Sequence, residues 1–385
     1  MNRKKFFSTV SIFSAGLMLG GKKVAGALAG NTIPFQSGGS VLSPKIHFNR
    51  KVIDNVCAWP KIVRRADGKV FSAIFNLPQH GAADRGNVEV WASDDDGAHW
   101  VRQGTPTASS DKVARYNHAL GIAHNGDLLV LSSGWSKDQT ESINFYQHKK
   151  QTLLNTLCYR SVDDGRTWRT YGEFPVGPDG IHLIPFGNIE YGKDGALRVA
   201  AFSFRLPTED KTRIDTCFCV KSEDDGRTWK IDAIIGNHVQ NETDITHLGN
   251  GKWLAACRVL RPFAERKGHS IELFVSEDDG KMWRSLGPVT EASEHPGDLL
   301  VLKDGRIVLS YGNRNAGQFG VYAKISNDQG VSWSKPFKLA DTLVGDSGYP
   351  GTVELEDGRL LTVYYAKGTP DFPDRYQMGA VQWSI

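Results

Sequence analysis

One octapeptide, S-x-D-x-G-x-x-W, occurs five times in the chain, at Ser93–Trp100, Ser161–Trp168, Ser222–Trp229, Ser276–Trp283 and Ser326–Trp333. Its parts describe a turn. The Asp bonds backbone N–H groups of its own loop, the Gly supplies a positive φ, and the Trp anchors the loop to apolar neighbours. A chain that repeats one turn repeats the supersecondary unit around it, which restricts the fold to a repeat architecture.

A second repeat runs out of step with the first. Asp67-Gly68, Asn125-Gly126, Asp194-Gly195, Asn250-Gly251, Asp304-Gly305 and Asp357-Gly358 each sit between two runs of β-forming residues, the setting of a hairpin turn. Their spacings are 58, 69, 56, 54 and 53 residues. The octapeptide falls between the third and fourth strands of a unit that the hairpin opens. Six hairpins with four strands per unit predict an all-β, six-bladed β-propeller of four-stranded antiparallel blades. The sixth unit lacks the octapeptide, and Ile46-His47-Phe48 is the candidate strand that completes it from the other terminus, removing exposed edges.

Composition agrees, with 10 Trp and 41 Gly among 385 residues. The formal net charge is only +3, without a basic run beyond the N-terminus, so nothing points to nucleic acid. Arg3, Lys4 and Lys5 precede an apolar run from Phe6 to about Gly20, then small residues with Ala25-Gly-Ala27 and Ala27-Leu-Ala29 as cleavage sites. Residues 1–29 therefore read as an export signal with a twin-arginine-like start, an N-terminal membrane anchor being the alternative, and 30–385 as a single propeller in the periplasm or outside the cell. No later segment has the ~20 apolar residues of a membrane helix. The cysteines number five, and Cys158 and Cys219 occupy equivalent positions before their octapeptides, which leaves a disulfide between neighbouring units open.

In a propeller, residues just before each hairpin converge near the axis, where ligands usually bind. Counting eight residues back from each turn gives Trp59, Asn117, Phe186, Glu242, Pro296 and Tyr349, and one step earlier Ala58, Tyr116, Pro185, Asn241, His295 and Gly348. Arg258, sixteen residues after Glu242 across its hairpin, faces the same end. A solvated ion pair there would contribute only ~0–1 kcal/mol, which gives little structural reason for it.

With these octapeptides, known as Asp boxes, and with Asn241-Glu242…Arg258 and Gly348-Tyr349-Pro350 in the expected phase, the chain resembles the sialidase (neuraminidase) superfamily. The resemblance implies a Tyr nucleophile, Tyr349, a Glu that takes its proton, Glu242, and an acid in the first-blade loop, for which Asp84 is the nearest residue. It implies a glycan or oligosaccharide as the partner and no cofactor. The chain departs from the family in its arginines. Sialidases hold the sugar carboxylate with three; here Ala58-Trp59-Pro60 stands where the first is expected, Gln318 near the third with Arg314 four residues upstream as a substitute, and Tyr365 where a Glu would steady the first. Each charged hydrogen bond of such a clamp is worth ~1.5–3 kcal/mol, so the usual substrate becomes less favoured.

Other polar residues expected at the same rim are Lys61, His118, His295 and Asp298, with Arg115, Arg205 and Arg261. Trp59 is either a platform for a sugar face or axial filling. No His, Cys and carboxylate set recurs at ligand spacing, so no metal is expected. The reading is an exported sialidase-like glycoside hydrolase acting on a glycan-terminal sugar: sialic acid or another acidic or neutral sugar. The alternatives are a polysaccharide lyase acting at a uronic acid, with His118 or Tyr349 as base or acid, and a non-catalytic glycan-binding protein.

Overall fold

The computed structural model describes residues 41–80, 85–137, 145–146, 151–178, 180–205, 214–259 and 269–385. The signal-like segment, Asp84 and Arg261 lie outside them. Among the described residues every regular element is a strand, and no helix is long and apolar enough to cross a membrane.

The strands form six groups of four, the last of which is completed by β1 (Lys45–Asp54) at the start of the chain. The first is β2 (Cys57–Arg64), β3 (Val70–Phe75), β4 (Val88–Ser93) and β5 (Val101–Gly104). The second is β6 (Val113–Ile122), β7 (Leu128–Ser136), β9 (Gln151–Ser161) and β10 (Arg169–Glu173), with the short β8 (Phe145–Tyr146) added to β9. The third is β11 (Ile184–Tyr191), β12 (Leu197–Arg205), β13 (Ile214–Ser222) and β14 (Lys230–Gly236). The fourth is β15 (Gln240–Gly249), β16 (Lys252–Val259), β17 (Ser270–Ser276) and β18 (Arg284–Pro288). The fifth is β19 (Glu294–Val301), β20 (Ile307–Asn313), β21 (Gly320–Ser326) and β22 (Phe337–Asp341). The last is β23 (Ser347–Glu354), β24 (Leu360–Thr369) and β25 (Phe372–Ser384), and β1 is its fourth strand, paired with β25 from Lys45↔Ser384 to Asp54↔Gln377.

Within each group the strands are antiparallel neighbours. The second and third groups are further joined into one nine-stranded sheet by a short parallel pairing, Asn188↔Leu120 and Ile189↔Gly121. The first strand of each group packs against that of the next, and β23 packs against β2, so the six first strands close a ring.

The hairpin glycines explain the repeated turns. Gly68, Gly126, Gly195, Gly251, Gly305 and Gly358 all have φ between 75 and 94°, a conformation costly for residues with a Cβ. Apolar residues fill the spaces between groups. Phe71, Val88 and Val90 of the first group meet Leu120, Leu128 and Val130 of the second, and Val353, Leu361 and Val363 of the last meet Ile62, Val70 and Ile74 of the first. A four-stranded sheet alone would leave both faces wet; at ~25 cal/mol per Å² of apolar surface buried, stacking each face on a neighbour is what stabilises the unit.

The octapeptides lie between the third and fourth strands of the first five groups. In each, the Ser hydroxyl donates to the Asp at 2.8–2.9 Å and accepts the Gly amide at 2.8–3.0 Å. The Asp accepts the amide four residues on at 2.8–2.9 Å, and the Trp indole donates to the Gly carbonyl at 2.8–3.2 Å. Each Gly also presses on the preceding group. A Cβ at Gly97 would come 2.4 Å from Leu361, and those at Gly165, Gly226 and Gly330 3.0–3.2 Å from Val90, Leu129 and Leu254. The boxes thus fasten one group to the one before it. Cys158 and Cys219 sit under Gly226 and Gly280 as buried free thiols, so the structure holds no bond between them.

Candidate active site

The row found by counting back from the turns coincides with a break in strand pairing. In five of the six first hairpins the register slips around the residue of that row: between Cys57 and Lys61, Arg115 and His118, Gln240 and Thr243, Glu294 and Gly297, and Gly348 and Gly351; in the third, Phe186 still pairs with Ala200 and the slip follows it, before Glu190. A bulge frees a residue from the ladder and re-aims its side chain. Trp59, Asn117 and Tyr349 reach this position with positive φ (57, 57 and 48°), as does Ala58 at 57°.

Tyr349, Glu242 and Arg258 meet there. The Tyr349 hydroxyl lies 2.8 Å from both carboxylate oxygens of Glu242. Arg258 Nη1 donates to Glu242 Oε2 and, at 3.1 Å, to the Tyr349 oxygen. The side chains of Glu242 and Arg258 are only 11 % and 16 % exposed, so the ion pair is shielded. The Arg314 guanidinium carbon lies 5.3 Å from the Tyr349 ring centroid, and its Nε and Nη2 are buried without a hydrogen-bond partner among the described residues.

This arrangement separates the protonation states of its members. Burial opposes ionisation of Glu242, but the charge and hydrogen bond of Arg258, with help from Tyr349 and Arg314, hold its carboxyl below the usual carboxylate range. Burial, reinforced by the Glu242 charge, pushes the Tyr349 hydroxyl well above its usual range against the pull of Arg258 and Arg314. At neutral pH a protonated hydroxyl therefore donates to an ionised carboxylate, an arrangement in which a carboxylate can take the proton of an attacking hydroxyl.

An aromatic wall surrounds the hydroxyl. Trp59 stacks on Tyr116 (centroids 5.4 Å, 6°) and stands edge-on to Tyr349 at 6.2 Å, with Trp135, Phe186 and Tyr365 in the same cluster. His80 is also edge-on to Tyr349, at 5.9 Å, and its Nδ1 lies 2.6 Å from Asp346 Oδ1. Beneath this layer Lys61 is buried with its amine 3.7 Å from the Phe186 centroid. Burial pulls Lys61 towards its neutral form against Asp244, Asp298 and Glu242, and raises both aspartates. Those aspartates tie first strands together: Asp244 accepts the amides of Asn188 and Leu299 at 3.0 and 2.8 Å, and Asp298 that of Thr352 at 2.9 Å.

The expected residues thus divide. Tyr349, Glu242, Arg258, Trp59 and Arg314 are brought together, and His295, T-shaped to His269 at 4.9 Å, lies close enough for Arg258 and Arg314, after burial, to depress its basicity. Asn117 is buried at its bulge and accepts the Trp135 indole N–H at 3.3 Å. His118 does not join that group. It resumes the ladder opposite Ser132, its Nε2 lies 3.0 Å from the Ala73 carbonyl, and burial lowers its pKa to about 3. Lys61 and Asp298 lie one step deeper than a rim, and Arg115 donates to the Asn155 carbonyl at 2.8 Å. Gln318 is exposed on its loop, its oxygen 3.4 Å from the Asn313 amide.

Counting from the turns missed His80 and Asp346. Both lie in connections between strands, outside the bulge row, and His80 is four residues before Asp84 in the loop where an acid was expected. That proximity was the available signal.

Comparison with known proteins agrees with this architecture. The profile of the BNR repeat-like domain matches residues 62–362. A sialidase of Bacteroides fragilis (strain YCH46) is 22 % identical over 269 residues, which are 66 % of this chain and 44 % of that protein; the chain thus spans under half of that relative's length. Among solved structures, a protein of unknown function from Dyadobacter fermentans DSM 18053 aligns over 90 % of this chain and 100 % of its own, with a TM-score of 0.75 at 20 % identity. The NanB sialidase of Streptococcus pneumoniae aligns over 91 % of this chain and 70 % of its own, with a TM-score of 0.63 at 14 % identity.

Proposed function

The chain belongs to the BNR repeat-like family of the sialidase superfamily, and from that premise we propose that it is a glycoside hydrolase in which Tyr349 is the nucleophile and Glu242 its base. In this reading the six strand groups are the blades of a propeller, and the bulge row lines the mouth of its axial pocket. Residues 1–29 serve as an export signal. The observation that carries the proposal is the contact of one buried hydroxyl with both oxygens of an ionised carboxylate. Most glycosidases use two carboxylates, and sialidases with a Tyr nucleophile are a known exception.

The substrate is a glycan-terminal sugar carrying a carboxylate. Arg314 supports this, because among the described residues it has no ion-pair partner, while Arg258 is already matched to Glu242. Arg314 would hold the sugar acid, with the guanidinium of Arg258 next to it fixed on Glu242, and Trp59 would cover an apolar sugar face. A neutral attacking hydroxyl suits such a substrate, since an anionic nucleophile would be repelled by the sugar carboxylate. Attack forms the bond from the Tyr349 oxygen to the anomeric carbon and breaks the bond from that carbon to the leaving oxygen, which departs as a protonated alcohol, while Glu242 takes the phenolic proton. Water then displaces the tyrosine, which recovers its proton from Glu242.

Tyr349→Phe should lose on the order of 10³-fold or more in turnover with folding intact, since the removed atom forms the covalent bond. Release of a reducing sugar by the wild type is the assay. Wild-type-like rates in Tyr349→Phe would overturn the proposal. A product absorbing in the near ultraviolet would instead indicate elimination, and glycan binding without product a binding protein.

A further inference from the structure

His80 follows β3 of the first group, and Asp346 precedes β23 of the last. The two loops meet beside the nucleophile. Asp346 is fully engaged: His80 Nδ1 lies 2.6 Å from its Oδ1, Tyr365 donates to the same oxygen at 2.7 Å, and Tyr376 donates to Oδ2. Burial opposes ionisation of Asp346, but His80, Tyr376 and Tyr365 hold its carboxyl well below the usual range. With Nδ1–H donated to that carboxylate, ring geometry turns Nε2 away from it.

Three aromatic contacts hold the imidazole: Trp59 at 5.3 Å, Tyr365 at 5.4 Å and Tyr349 at 5.9 Å, all near perpendicular. Its side chain nevertheless stays 25 % exposed, unlike the wholly buried His118. A histidine kept only to fill space needs no carboxylate with two further hydroxyls spent on it. A histidine that passes a proton needs its tautomer fixed, its cation stabilised and one nitrogen accessible.

Resting on the hydrolase reading, we propose that His80, oriented by Asp346, is the general acid and base of the reaction, in the role for which Asp84 stood by sequence. In the first half, the bond between the anomeric carbon and the leaving oxygen breaks as Tyr349 attacks, and that oxygen takes the proton from His80 Nε2. His80 is then neutral. In the second half, His80 Nε2 takes a proton from water, whose oxygen bonds to the anomeric carbon as the bond to Tyr349 breaks. The imidazolium and the Tyr349 hydroxyl are both restored. Asp346 touches no reacting atom and is a positioning residue.

The test compares two glycosides of one sugar, one with an alkoxide and one with a nitrophenolate leaving group. His80→Ala should lose about 10²–10⁴-fold on the first and far less on the second, whose departure needs no proton. His80→Gln, closer in volume, should behave alike and serves where alanine disturbs the loop. Asp346→Asn adds a readout that packing alone would not move. In Asp346→Asn the loss should be larger on the alkoxide glycoside than on the nitrophenolate one, in the same sense as in His80→Ala, whereas a merely loosened loop would lower both rates alike. Equal losses on both glycosides in His80→Ala, or leaving-group dependence in Asp84→Asn but not in His80→Ala, overturn the assignment. A wild type that hydrolyses neither, against a panel of acidic and neutral sugars, overturns the hydrolase reading on which it rests.

Discussion

The two repeats place polar and strained residues in opposite circumstances at the two ends of the strand groups. In the octapeptides the left-handed conformation falls to Asp96, Asp164, Asp225, Asp279 and Gln329 and the glycines that follow them, and the Ser, Asp and Trp polar groups are matched inside the loop. In the bulge row that conformation falls to Ala58, Trp59 and Tyr349, which resist it, at about 1–2 kcal/mol each. There Trp59 Nε1, Tyr116 Oη, Arg258 Nε, His295 Nδ1 and two Arg314 nitrogens are buried without partners among the described residues. Buried polar groups are nearly always satisfied, so unpaired ones call for a reason, and these lie around the Tyr349, Glu242 and Arg258 contact. The octapeptides match their polar groups within the loop, and the bulge row does not.

The sharpest way to break this contrast is at the buried ion pair. Arg258→Met removes one partner and leaves the Glu242 carboxylate uncompensated, which should cost about 3–5 kcal/mol in chemical denaturation. Adding Glu242→Gln should recover much of that loss, because the remaining carboxamide carries no charge, while turnover stays absent in both. If the double variant is no more stable than Arg258→Met, the pair is not what makes the single substitution costly.

At the other end, Gly97→Ala asks a Cβ to occupy space 2.4 Å from Leu361 at a φ of 84°. Over-packing of a core typically costs about 1–3 kcal/mol, and the left-handed backbone about 1–2 more. The melting temperature should fall while kcat and KM of the folded protein hold. A change in KM below the unfolding transition would show that the octapeptide end and the pocket are coupled after all.

Much of this architecture could be read from residue order because it is periodic. The Asp-Gly and Asn-Gly hairpins located the first strands, Ile46-His47-Phe48 lies within the closing strand, and eight residues back from the turn lies the bulge in every group but the third, where it comes just after. Glu242 and Tyr349 followed from that count, with 107 residues between them in the chain. His118 stands apart because one residue past a bulge the side chain turns into the ladder, and Gln318 because loop positions have no register. His80 and Asp346 lie 266 residues apart in connections of unequal length, and no period relates them. Only the closing of the ring, last group against first, brings them together.

The smallest effect expected concerns a single octapeptide carboxylate. The Thr167 hydroxyl and amide, then Ser161, hold the Asp163 carboxyl below its ordinary range despite the opposing effect of burial. Because its folded pKa lies below its unfolded one, its contribution is present above the unfolded value of ~3.9 and is lost as pH falls through the folded value. Asp163→Asn keeps the shape and removes the charge. It should be slightly less stable than the wild type at pH 7, by tenths of a kcal/mol to ~1 as for other exposed charge-assisted contacts, and the two should converge in acid. A deficit that persists unchanged in acid would mean that the loop depends on geometry rather than on charge. The same substitution should leave turnover untouched at every pH where both proteins are folded, since each bond Asp163 makes is returned within its own eight residues.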